Sequence, residues 1–382
     1  MELVRFQDPE VPPLSAIAPY YAASEAAGFY SNGGPCAELL AGRLAAYLGA
    51  AHVQPVANCT LGLMAALRAL AGEPTATRSL VAVPSFTFTA SACAIVWAGF
   101  EPLFVDVLPD SWQMDPAALR DQLDRHERRV AAVMGCSTFG SAPPDDVRAG
   151  WRDACAAAGV PLLVDSAAGF GAVDERGRRI GGLGDTEVFS FHATKPFAVG
   201  EGGAIATPDP EVAERIERLI NFGMERGGRS SAVAGLNAKC SELHAATALA
   251  MLDRFDDALA RRRASAARVR SAILRGGGAV ALQRGSEGST FQICQVVTDS
   301  PMTRMRALAA ARELGVQARS YFDPPLHRQP AFSRWAPRGG LPVTESLAAR
   351  SLSLPMANDL SADAVERIAA VTAAAPALAE AA

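Results

Sequence analysis

Lys195 lies in SFHATKPFAVGEGGA (190–204), between a short apolar run and a glycine cluster. A lysine near the end of a buried strand is costly unless it is neutralised, paired or bonded. Schiff-base formation with an aldehyde cofactor removes that cost, and the amine becomes a proton carrier once released. Asp165 ends the apolar run PLLVD and is followed by the small residues SAAG. A carboxylate there can keep a pyridine nitrogen protonated, as pyridoxal 5'-phosphate (PLP) needs in order to accept electrons. The phosphate needs donors. NCT (58–60) opens a helical pattern, where free backbone N–H groups and the positive helix end make a cradle. The hydroxyls of Thr60 and Ser190 can add to it. In PSFTFTAS (84–91), Phe86 or Phe88 could lie flat on a cofactor ring.

Each of these residues also has a plainer role: a loop lysine in solvent, a turn aspartate, helix capping by Asn58 or Thr60, a filler serine, a core phenylalanine. What points to a PLP site is their order: phosphate cradle, aromatic strand end, carboxylate strand end, then lysine.

The elements that must position them alternate. SLVAVPSF (79–86), PLFVDV (102–107), VAAVMGCS (130–137), PLLVDSA (161–167), EVFSF (187–191) and GAIAT (203–207) are continuous apolar runs. Strands covered on both faces have this character. Helical patterns run over 36–50 and 60–72, begin at Asp115–Pro116, and recur over 212–220. The alternation predicts an α/β domain around a mostly parallel sheet, with ligands at the carboxyl ends of its strands. A Gly/Ser/Arg-rich loop (223–235) leads to one long helix or two stacked ones over 241–274. Beyond lie a strand (291–297), a helix (303–315), a proline-rich stretch and a last helix from about Ser361. The expected division is a large α/β domain over 1–250, including the N-terminal segment, and a smaller C-terminal α+β domain over 251–382. The Ala-rich tail (374–382) is expected to fray.

Composition narrows the function classes. Of 382 residues, 49% are hydrophobic, enough for a sizeable core, and the net charge is −4 without a basic stripe. That argues against nucleic-acid partners and a polybasic membrane surface. The seven cysteines are odd in number and form no C-x-x-C pair, so neither a disulfide framework nor a structural zinc is expected. Reduced thiols, and a charged N-terminus without a signal-peptide pattern, fit a cytoplasmic protein. The five histidines lack metal-ligand spacing, so no metal is expected.

Over most of its length the sequence resembles the PLP-dependent nucleotide-sugar aminotransferases of the DegT/StrS family, which have the aspartate aminotransferase fold (fold type I). The resemblance runs through YSNGGP (30–35), NCT (58–60), PSFTFTASACAIVWAGFEPLFVDV (84–107), VDSAAGFGA (164–172), the lysine motif (190–204), GLNAKCSELHAA (235–246), RSYFDPPLHRQPAF (319–332) and LSLPM (352–356). It implies that Lys195 bonds PLP and shuttles protons, Asp165 pairs the pyridine nitrogen, Phe88 stacks on the ring, and Cys59, Thr60 and Ser190 hold the phosphate. It also implies that Asn237 reaches the phosphate of a neighbouring subunit, making a homodimer with shared active sites. Asn32, Arg319, Tyr321 and His327 become candidates for substrate contact. The implied reaction moves an amino group, with glutamate as donor, to a keto group of a nucleotide-linked deoxysugar in amino-sugar biosynthesis.

Several positions depart from the family pattern. Ala168 stands where a glutamine or histidine is common, Cys59 replaces a glycine, Lys239 an arginine and Cys240 a methionine, and STFG (137–140) stands for His-Leu-Tyr-Gly. Three other readings remain. One is a PLP-dependent sugar dehydratase, in which a histidine takes the lysine position. Another is an aminotransferase for a cyclitol or natural-product precursor. The third is a non-catalytic PLP-binding sensor.

Overall fold

In a computed structural model, which describes residues 2–225 and 227–373, the apolar runs assemble into one seven-stranded sheet. The tail 374–382 lies outside the described residues. The strands are β1 (His52–Val56), β2 (Leu80–Pro84), β3 (Glu101–Val105), β4 (Val130–Cys136), β5 (Leu162–Asp165), β6 (Thr186–Ser190) and β7 (Gly203–Thr207), in the order β1-β7-β6-β5-β4-β2-β3. β3, β2, β4, β5 and β6 run parallel, and β7 is antiparallel to both its neighbours. Every residue of β2, β4, β5, β6 and β7 is buried. Alternate residues feed opposite faces. Leu162 and Val164 pack with Leu40 and Trp151 on one side, and Leu163 packs with Leu63 and Ile95 on the other.

β1 has no counterpart among the predicted runs. Its sequence, HVQPV, contains a proline and two polar residues, and it sits at the sheet edge beside β7 alone. An edge position tolerates the missing N–H of Pro55.

The helices follow their local signals. Asp115 accepts from the backbone N–H of Ala117 at 2.8 Å, with Pro116 in the first turn of the helix Pro116–His126. The 241–274 pattern resolves into two helices, Glu242–Leu252 and Phe255–Arg275. The second begins in the large core through Phe255 and Leu259 and ends in a separate cluster through Val269 and Ile273. That cluster lies against a three-stranded antiparallel sheet of β8 (Val280–Leu282), β9 (Cys294–Thr298) and β10 (Ser351–Leu354), ordered β10-β9-β8. The protein is thus an α/β unit with a mostly parallel sheet and a smaller α+β unit. The first residues join the smaller one: Val4 pairs with Val316 and Gln7 with Met356, and Val4 and Phe6 are buried. Among the described residues no helix is long and apolar enough to cross a membrane.

Candidate active site

The carboxyl ends of β4, β5 and β6 are adjacent, with Cys136 in register with Asp165 and Asp165 with Val188. Asp165 is 7% exposed. Its Oδ2 accepts from Ser91 Oγ at 2.7 Å and its Oδ1 from the N–H of Ala167 at 3.1 Å. Burial pushes its carboxyl above the usual range, while Ser91, the Ala167 N–H and the charge of Lys195 pull the other way. Ser91 sits on the first turn of the helix Thr89–Trp97 and is fully buried. Sequence reasoning missed it. The one available signal was a hydroxyl on a helix turn directly after the aromatic strand end.

Lys195 is carried by the loop between β6 and β7. The loop folds back on itself through Phe191 N–H to Gly202 O, Ala193 N–H to Gly200 O, and Lys195 N–H to His192 O. Gly200, at φ 98, occupies a conformation that favours glycine. Lys195 is half-buried. Desolvation holds its amine below the ordinary lysine range, and the neighbouring Cys59 and Asp165 side chains act in the opposite direction. Among the described residues its amine forms no ion pair; it donates to Gln292 Oε1 at 3.2 Å. Gln292 lies just before β9, and nothing in the local sequence marks it.

The glycine cluster serves the cradle. A Cβ on Gly203 would stand 2.7 Å from Phe189 O, 3.0 Å from Cys59 N and 3.1 Å from Asn58 C, so β7 abuts the start of the helix Cys59–Ala71 only because this residue is glycine. Asn58 caps that helix, accepting from Leu61 N–H at 2.9 Å. Cys59 and Thr60 are its first two residues, and N–H groups there have no intrahelical acceptor. A Cβ at Cys59 is tolerated because the residue already belongs to the helix. Ser190 ends β6, is 6% exposed, and accepts from His192 N–H at 3.3 Å.

The two phenylalanines separate. Phe86 is fully buried and packs edge-on against Phe139 and Phe322. Phe88, at the cap of the Ser91 helix, is 55% exposed. Cys59, Thr60, Asp165, Ser190 and Lys195 therefore converge at one end of the sheet, with Phe88 one turn from Ser91.

The remaining candidates make other contacts. Asn237 is exposed, and its Oδ1 accepts from Lys239 Nζ at 2.8 Å. Asn32 is exposed at φ 63 in the turn before the helix Pro35–Leu48. That helix start is locked by the buried Glu242, which accepts from Cys36 N–H at 2.7 Å, Ala37 N–H at 3.1 Å and Ser24 Oγ at 2.8 Å. Arg319 is exposed and donates to Tyr321 Oη at 2.9 Å. His327 is a correction. It is 1% exposed, its Nδ1 pairs with Ser85 Oγ at 2.7 Å and its Nε2 with Glu345 Oε1 at 3.0 Å. Both ring nitrogens are committed inside the protein, so none is left for a substrate.

A family model described as the DegT/DnrJ/EryC1/StrS aminotransferase family matches residues 15–372. The chain belongs to this family. It is 35% identical over 371 residues to Protein Rv3402c of Mycobacterium tuberculosis, covering 96% of this chain and 89% of that one. It is 28% identical over 364 residues to the dTDP-4-amino-4,6-dideoxy-D-glucose transaminase of Shigella dysenteriae, covering 94% and 95%. Among solved structures, it is similar to DesI crystallised in the presence of its TDP-sugar product, with 33% identity, a TM-score of 0.86, and coverage of 98% of this chain and 93% of that one. This member of the DegT/DnrJ/EryC1/StrS family is a PLP-dependent aminotransferase.

Proposed function

We propose that the protein transfers an amino group to a keto group of a nucleotide-linked deoxysugar in amino-sugar biosynthesis, with PLP bound on Lys195 and glutamate as donor. The observation that carries this reading is an amine with no carboxylate within ion-pair distance, at the same sheet end as a buried carboxylate with no cation within ion-pair distance, among the described residues. Such groups are costly unless a further group meets them. PLP supplies an aldehyde for the amine, a ring nitrogen for the carboxylate and a phosphate for a helix N-terminus, so the residues present fit it.

When bound, PLP supplies an electron sink for the donor's α-carbon. The chain's residues do the rest. Cys59 and Thr60 offer N–H groups, and Thr60 and Ser190 hydroxyls, to the phosphate. Phe88 covers the ring. Asp165, fixed by Ser91, holds the proton on the ring nitrogen. The Lys195 amine, once released, would be the base for the proton on the donor's α-carbon and would deliver that proton to the cofactor carbon two bonds away, across the nitrogen. Desolvation, which holds the lysine's pKa below the ordinary range, favours the neutral amine that a base requires. Asn237, exposed in one chain, fits the role of phosphate ligand to a partner subunit. The seven free cysteines agree with a cytoplasmic setting.

The test is a screen of keto nucleotide sugars with glutamate, read by mass. The expected result is a product in which the carbonyl oxygen is replaced by an amine, with an equal amount of 2-oxoglutarate. Loss of a hydroxyl instead would mark a dehydratase. A protein that binds PLP but never converts it to the aminated form with glutamate or another amino acid would be a sensor, and the proposal would fall.

A further inference from the structure

The contact between Lys195 and Gln292 joins the two units of the fold, and no motif accounts for it. Gln292 belongs to the smaller unit, yet its side chain reaches the loop between β6 and β7 twice. Its Oε1 accepts from Lys195 Nζ at 3.2 Å, and its Nε2 donates to the carbonyl of Thr194 at 3.2 Å. The second bond fixes the first. With the amide nitrogen committed to a carbonyl, the oxygen must face the amine, and the reverse orientation would set two donors against each other.

The backbone beside it is held in an unfavourable conformation. Phe291 is a non-glycine residue at φ 50. It persists there because its carbonyl accepts from Arg262 Nη1 at 3.1 Å and its N–H donates to Ser289 Oγ at 3.1 Å. Arg262 is 6% exposed and has no carboxylate within ion-pair distance among the described residues; its guanidinium is spent on the Phe291 and Met356 carbonyls and on Asn358. Next to Phe291, Thr290 Oγ1 donates to the carbonyl of Ala168 at 2.6 Å, three residues beyond Asp165. Four consecutive residues, 289–292, are thus tied down, and the last of them meets the amine.

We propose that Gln292 is a positioning residue that holds the free amine of Lys195 while that amine carries the proton. The inference rests on the aminotransferase reading above. A neutral acceptor is the right chemistry for the task. A carboxylate in this place would lock the amine as ammonium and spoil it as a base, and an apolar side chain would let it swing. An amide oxygen orients both protonation states and favours the ammonium only moderately. The other titratable groups that face the amine are Asp165 on β5 and Cys59 on the phosphate-side helix, whose thiol burial keeps protonated. His192 and Glu201 lie in its own loop and face each other at 3.5 Å.

The test measures the titration of Lys195 directly. The full-length protein is prepared cofactor-free and loaded with pyridoxamine 5'-phosphate, both of which leave the lysine amine free. Amine-directed labelling of Lys195 is followed against pH by peptide mass. Gln292→Leu removes an acceptor that favours the ammonium, so the apparent pKa falls by about one unit. Gln292→Glu adds a facing carboxylate, so it rises by at least about one unit. Opposite shifts at preserved fold are the expected result, and the basic group in the pH–rate profile moves with them. Titrations unchanged in both variants, or shifted in the same direction, overturn the inference. Borohydride fixation of PLP on Lys195 in the wild type is read separately. Its absence would remove the aminotransferase reading. Fixation with an unmoved titration would remove only the role of Gln292.

Discussion

Ser91→Ala deletes one hydroxyl that touches no expected ligand; its shortest bond is the one to Asp165, with longer contacts to Thr87 Oγ1 and Cys136 Sγ. The Ser91 Oγ to Asp165 Oδ2 bond is 2.7 Å long, and Ser91 is fully buried. Hydrogen bonds to charged groups contribute about 1.5–3 kcal/mol, and each 1.4 kcal/mol is about tenfold in an equilibrium or a rate. Removing the hydroxyl should therefore lower turnover roughly 10- to 100-fold. The sign of the pH effect follows from the same bond. Asp165 is already pushed up by burial, and Ser91 is the largest influence holding it down. Without Ser91 the carboxyl rises further, the ionised form persists over a narrower range, and the acid limb of the pH–rate profile moves to higher pH. Ser91→Thr keeps the hydroxyl and should restore both rate and limb. The assay is the single-turnover half-reaction with glutamate across pH, with bound cofactor quantified in each variant. Wild-type turnover with an unmoved acid limb in Ser91→Ala would refute this account of Asp165.

Gly203→Ala should weaken PLP binding by about tenfold or more, because the new Cβ stands 3.0 Å from Cys59 N and 2.7 Å from Phe189 O; an unchanged Kd in a fluorescence titration would contradict the cradle. Glu187 is fully buried on β6, accepts from Ser166 Oγ at 2.5 Å and Leu183 N–H at 3.0 Å, and burial pushes its carboxyl from 4.5 up to about 7. Its folded pKa exceeds the unfolded one, so its contribution is complete below pH 4.5 and is lost as pH rises through 7, by about 3 kcal/mol. Urea unfolding should show that slope in the wild type and a flatter one in Glu187→Gln; equal slopes would contradict it. Lys195→Ala and Asn237→Ala, each inactive alone, should recover about a quarter of wild-type turnover when mixed and exchanged. Half of the dimers are then hybrids, each with one intact site. No recovery despite proven exchange would put both residues in one subunit's site.

The sheet was legible where burial is two-sided. β2 and β4 to β7 are continuous apolar runs because both faces are covered, and that pattern needs no partner to be recognised. β1 was not legible, since an edge strand with Pro55 and Gln54 carries neither alternation nor an apolar run. The N-terminal segment adjoins the large domain along the chain, but Val4 and Phe6 bury their side chains on the smaller unit, which only tertiary packing reveals. In the site, Asp165 stood out because it ends an apolar strand, Lys195 because it lies between an apolar run and a glycine cluster, and Asn58 because caps have a local signature. Ser91 and Gln292 did not: their partners lie 74 and 97 residues away, and a buried serine or glutamine looks the same in sequence whether it supports chemistry or fills space. His327 shows the converse, since a histidine in a family-like segment turned out to be fastened by Ser85 and Glu345. Phe86 and Phe88 could not be ranked from their alternation; only the family resemblance singled out Phe88, and burial and ring packing separate the two.

The central claim is that the Lys195 amine bonds the cofactor. Borohydride reduction of the purified, PLP-loaded protein, followed by peptide mass analysis, tests it most directly. The account predicts loss of the cofactor's visible band and one pyridoxyl adduct, on the peptide containing Lys195 and absent from Lys195→Ala. An adduct on a different lysine, or a protein that takes up PLP and yields none, would contradict it.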